Sequence, residues 1–223
     1  MRPRQRAEAW AARLLTVSAG AVNALGFLSL GGVFTSVVTA NSAMFGIGLG
    51  SVDRELGGLA GLAVLCYVLG AAAGSWAAAR AQRGTRSPAA DFLLLELVLL
   101  WTVAAWWLSA AGHPSGWART VMLGTVSAAM GCQSAGVRVT LGAKVTTAYL
   151  TGLLTQAVAE AVTARRPPRR ALVTMGLLVL GAAAFTLLER WLHGVSAVFP
   201  ALLVTAAWLT THVGPRGEAH VSA

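Results

Sequence analysis

Several apolar runs in this chain approach the roughly 20 residues that a helix needs to cross a hydrocarbon core of about 30 Å, and short arginine clusters separate them. A spanning segment must satisfy its own backbone hydrogen bonds. Such runs therefore fold as membrane helices. Period-2 alternation is absent, which argues against an outer-membrane barrel. Only 11% of the 223 residues are charged and 56% are hydrophobic, where a soluble domain is nearer a quarter charged. The net charge of +9 lies in clusters between apolar runs, as the positive-inside rule expects. The lipid bilayer is thus the expected partner, and nucleic acid is not.

Six runs read as spanning helices: 10–30, 57–79, 89–111, 117–137, 171–191 and 194–213. The first continues past a signal-peptide core and contains Asn23, so it reads as a helix rather than a cleaved leader. Two further segments, 33–50 and 145–163, are shorter or interrupted by polar residues. If all eight crossed, the basic loop at 80–86 would face away from the basic N-terminus. If the two interrupted segments instead enter and leave on one side, the clusters at 2–13, 80–86 and 165–170 share one face. That face is the cytoplasmic side of a bacterial inner membrane, with both termini on it. Trp101, Trp106 and Trp107 then approach the outer interface.

Polar residues recur in order in the two halves. Thr16-Val17-Ser18-Ala19 matches Thr125-Val126-Ser127-Ala128, and Gly31 and Thr35 match Gly142 and Thr146 at equal spacing. Thr39-Ala40 falls opposite Thr151-Gly152. The expected fold is all-α: one polytopic membrane domain over 1–223, with six spanning helices plus two short or broken helices. A first repeat at 10–111 and a second at 117–213 form a three-plus-three inverted repeat, followed by a disordered tail at 214–223. Gly70 and Gly74 form a small-xxx-small pair. It reads as internal packing, with a homodimer seam as the alternative.

At these positions the chain resembles the YoaK-like proteins, a bacterial family of six-helix membrane proteins of unknown function (domain of unknown function family 1275). The residues that carry the resemblance are Ala19-Gly20, Asn23-Ala24, Phe27, Gly31-Gly32-Val33-Phe34 and Thr39-Ala40-Asn41. The second half adds Gly131-Cys132-Gln133-Ser134 and Thr146-Thr147-Ala148-Tyr149-Leu150-Thr151-Gly152. Two positions depart from the family pattern. Asn23 replaces an acid, which removes an ion or proton ligand, and Ala40 replaces the glycine of a T-G-N, which is expected to crowd the broken element. The resemblance supplies no substrate.

The candidate substrate-binding residues are Asn23, Thr35, Thr39, Asn41, Gln133, Thr147, Thr151 and Gly152, polar or small groups at paired breaks in an apolar chain. The bland alternative is that the amides only bridge helices, for about 1 kcal/mol each. Gln156, toward a basic end, takes the bland reading, and Arg138 and Lys144 are expected to snorkel to the interface. Glu96 lies about 12 Å into its helix, where a carboxylate costs about 2.5 to 3.5 kcal/mol. It should be protonated, paired or facing water, and it is the candidate proton-coupling residue. No enzyme motif, metal-ligand cluster or cofactor motif stands out: there is no Walker loop, no H-E-x-x-H and no CxxC. The expected function is transport of a small solute, as a carrier or channel. The alternatives are a non-transporting scaffold or assembly protein and, third, an intramembrane enzyme.

Overall fold

The computed structural model describes residues 3–82, 88–141, 150–164 and 169–213, and all eight of its α-helices fall in these stretches. Thr147 lies outside them, as do Gly142, Lys144, Thr146, most of the basic loops at 83–87 and 165–168, and the tail at 214–223. The helices are α1 (Pro3–Ser29), α2 (Val38–Gly50), α3 (Arg54–Gln82), α4 (Pro88–Ser109), α5 (Gly116–Leu141), α6 (Leu150–Ala164), α7 (Arg169–Trp191) and α8 (Val198–Val213). A single 3-10 turn, His193–Val195, leads into α8. No strand occurs among the described residues.

Five segments are long and apolar enough to cross a membrane: Gln5–Ser29, Arg54–Ala81, Phe92–Ser109, Arg169–Trp191 and His193–Thr211. The sequence reading expected six. The missing one is α5, where Thr120, Thr125, Ser127, Gln133 and Ser134 dilute the apolar run. These residues are tolerated because α5 is central rather than lipid-facing. Met122, Leu123, Val126, Ser127, Met130 and Gln133 are all fully buried.

The helices alternate in direction. Gly31 sits against Leu59, so α3 begins at the end where α1 stops. On α3 and α5, Gly70 meets Ala128 and Gly74 meets Cys132, which makes these two helices parallel. On α1 and α7, Gly181 meets Val17 and Ser29 meets Glu189, so these two are parallel as well. Phe92 contacts Gly136 while Trp106 contacts Trp117, so α4 runs against α5. Trp101 donates to Thr205 Oγ1 at 3.0 Å and Trp107 donates to the His193 carbonyl at 2.8 Å, which sets α8 against α4. Hence α1, α4 and α7 point one way, and α3, α5 and α8 the other. The core helix α1 packs chiefly on α7 and α8, while α5 packs chiefly on α3 and α4.

Backbone-to-backbone approach holds both parallel pairs. A side chain on Gly70 or Gly131 would run into the carbonyls of Ala128 or Tyr67, and one on Gly20 or Gly181 into those of Leu178 or Val17. The Gly70/Gly74 pair thus packs internally against α5. Where hydrocarbon surrounds a bundle, such close van der Waals fit replaces the hydrophobic driving force of a soluble core.

Trp107 departs from the expected interfacial belt. It is 1% exposed, and its indole N–H is satisfied by the His193 carbonyl. A buried indole is stable once its one donor has a partner, and the turn before α8 supplies that partner. Trp101 and Trp106 are half-buried.

Gly131→Leu is expected to cost at least about 1–3 kcal/mol by overpacking the α3–α5 seam. Gly46→Ala should be neutral or stabilising by up to about 1 kcal/mol, because nothing lies within 4 Å of that site. Thermal unfolding of the two variants in detergent measures both, and equal midpoints would contradict the seam.

Candidate functional site

The expected break after the first helix is real. Gly31 and Gly32 have φ of 125° and 77°, a region L-residues with side chains seldom enter. There the chain reverses, and residues 33–37 run back along α1 until α2 starts at Val38. A side chain on Gly26 would lie 2.9 Å from the Val33 carbonyl, so its absence makes room for the returning strand.

The returning backbone has no helix or sheet to pair with, and Asn23 supplies its partners. The Asn23 carbonyl oxygen accepts from Thr35 N at 3.1 Å, Thr35 Oγ1 at 3.2 Å and Ser36 N at 3.1 Å. Its amide nitrogen donates to the Ala19 carbonyl at 2.9 Å and to Ser36 Oγ at 2.7 Å. Asn41 does the same one step on: its oxygen accepts from Phe34 N at 3.1 Å, and its nitrogen donates to the Phe34 carbonyl. Asn23, Thr35 and Asn41 are all buried. Ala40 lies in the first turn of regular helix, where alanine is the most favoured residue. Close approach of backbone to side chain is found at Gly26 and Gly31.

Beside this break lies a cleft of about 1430 Å³. It is bounded by α1, residues 34–39, α3, α5, α6 and α7. Phe27 and Phe34, stacked with centroids 5.1 Å apart, form part of its apolar wall. From α6 come Thr151, Gly152, Thr155, Gln156 and Ala159, which share one face at helical spacing. The first turns of two helices, α2 and α6, therefore border the same space.

Four of the expected site residues line the cleft: Asn23, Thr39, Thr151 and Gly152. Thr35 and Asn41 stand behind it, bonded into the break. Gln133 is buried against α1, donating to the Leu15 carbonyl at 3.2 Å. The sequence reading missed Ser36, Tyr67, Ser75, Ser134, Thr155 and Arg138 as lining residues, and it set Gln156 aside. Part of that was legible. Thr151, Thr155 and Gln156, and likewise Ser134 and Arg138, are spaced to share a helix face.

Glu96 does not line the cleft. It is 0% exposed, and neither carboxyl oxygen has a hydrogen-bond partner. One turn earlier on α4, Phe92 offers its carbonyl to Cys132 Sγ at 3.5 Å, which places this stretch against α5. Among the described residues no cation pairs with Glu96, and an acid buried without a countercharge is accommodated in its neutral form.

Among the described residues no three or more His, Cys, Asp or Glu side chains are grouped so as to hold a metal ion. A family model described as "Protein of unknown function (DUF1275)" matches residues 11–211. No curated protein and no solved structure matches the chain.

Asn23→Leu should leave the Thr35 and Ser36 amides unpaired, at about 1–3 kcal/mol each. Asn23→Asp keeps the acceptor that holds them and should lose less. Thermal unfolding compares the two variants. Equal loss from both would show that the accepting oxygen does not hold the break.

Proposed function

Because the chain belongs to the DUF1275 family of proteins of unknown function, we propose its function from the cleft itself: it moves a small solute across the bacterial inner membrane. The observation that carries this reading is one cleft bordered by the first turns of both short helices, α2 and α6. Solute sites in secondary transporters are built from such broken elements near the bilayer midplane.

The helix directions support a three-plus-three inverted repeat with six crossings. In this reading α1, α3 and α4 are answered by α5, α7 and α8 with every direction reversed. Exchanging the halves exchanges the α1–α7 seam with the α3–α5 seam, and the α1–α8 contact with the α4–α5 contact. At about 20 Å for 13 residues, α2 is too short to cross. Gly48 packs against Gly57 and Phe45 against Gly61, so α2 returns toward the end from which the chain entered. The N-terminus and the arginine-rich loops then face the cytoplasm, as the positive-inside rule requires.

The alternative is a non-transporting scaffold. It draws on the saturation of Asn23 and Asn41 by backbone, which is what a purely structural break needs. Introduced cysteines at Thr39 and Thr151, in a background lacking Cys66 and Cys132, separate the two readings. Membrane-impermeant maleimides should reach both positions through the cleft they share. Protection of both from both sides would leave the scaffold.

Glu96 is the proposed proton-coupling group, acting through the packing of α4 on α5 rather than by touching solute. Glu96→Gln preserves its shape but cannot titrate. In proteoliposomes carrying a solute identified by screening, the variant should insert normally and lose flux driven by a pH gradient. Flux that still follows the gradient would remove Glu96 from the mechanism.

A further inference from the structure

The charges around the cleft are one-sided. Among the described lining residues Arg138 alone carries a formal charge, and no carboxylate is present. Arg138, an exposed residue, has no ion-pair partner among the described residues. A guanidinium is a permanent charge with a planar fork of donors that matches oxyanions.

The rest of the lining points the same way. Val37, Val38 and Thr39 border the cleft, and α2 has no side-chain cap at Val37. The first N–H groups of a helix lack intrahelical acceptors and carry the positive end of its dipole. Thr151 and Gly152 bring the first turn of α6 to the same space. Ser134 lies one turn before Arg138 on α5. Its hydroxyl is shut off from solvent and has no hydrogen-bond partner, yet the residue lines the cleft. A cation here would face a guanidinium and the positive end of α2, with no carboxylate among the described lining residues and Glu160 set behind Gln156 at 3.0 Å.

We infer that the cleft takes a small anion, a carboxylate or inorganic oxyanion, with Arg138 as its fixed countercharge and the α2 first turn as its amide donor. This rests on the transport reading and names the class of solute.

Full-length protein in proteoliposomes is tested with radiolabelled acetate, phosphate, glycerol and choline. Acetate or phosphate should cross well above empty vesicles, and glycerol and choline should not. Arg138→Gln should cut that flux at least tenfold, and Arg138→Lys should retain part of it. In parallel, the thermal midpoint in detergent is followed as acetate or phosphate replaces a bulky sulfonate at constant ionic strength. Stabilisation is expected in the native protein and in Arg138→Lys, and not in Arg138→Gln. Crossing by glycerol or choline in place of the anions would overturn the anion and leave transport standing. Anion stabilisation that depends on Arg138, without any flux, would uphold the anion site and overturn transport. Anion flux indifferent to Arg138→Gln, or neither flux nor Arg138-dependent stabilisation, would overturn the inference.

Discussion

The break after α1 places peptide groups where neither water nor regular secondary structure can satisfy them, and much of the architecture answers that constraint. In an apolar surrounding, each unpaired N–H or C=O costs several kcal/mol. Two asparagines meet the demand. Asn23 gathers the Thr35 and Ser36 amides onto one oxygen, and Asn41 pairs with both backbone groups of Phe34. With these bonds in place, α2 can start beside α1 rather than at the far end of the bundle. The uncapped first turn that borders the cleft follows from the same arrangement.

Glycine sets the spacing around it. The α1–α7 and α3–α5 pairs each approach through reciprocal glycines, Gly20 with Gly181 and Gly70 with Gly131. Contacts of this closeness fix relative position along the axis as well as separation, since each seam admits only one register without collision. The cleft lies between these two seams and draws lining residues from all four helices. Its shape therefore depends on residues that carry no side chain at all.

The polar groups divide by task. Asn23, Thr35, Asn41 and Gln133 spend their hydrogen bonds inside the protein, although Asn23 also shows a face to the cleft. Thr39, Thr151 and Arg138 face the open space, while Ser134 lines it with its hydroxyl shut off from solvent. Glu96 belongs to neither group, being buried without a partner between α4 and α5. The described lining of the cleft thus offers hydroxyl groups and one formal positive charge, and the proposed anion rests on these.

Composition and run length by themselves determined that the chain is helical and suited to a bilayer, because roughly 20 apolar residues have few other stable fates. Gly31-Gly32 marked the reversal, since only glycine enters those backbone angles freely. The family resemblance was also legible, from short motifs in a fixed order between about 14 and 213, and the family model matches 11–211. Which polar residues face the cleft was not. Asn23 and Asn41 looked like ligands by type and position, and only the returning chain at 33–37 shows them engaged by backbone. Arg138 looked like an interfacial anchor, and only the packed structure shows this exposed side chain lining a cleft shared with α6. The burial of Trp107 likewise waited on the turn at His193, which comes 86 residues later in the chain. Periodicity reports which face of a helix is polar, but the partner of that face is set by contacts between distant segments, and those exist only once the helices have packed.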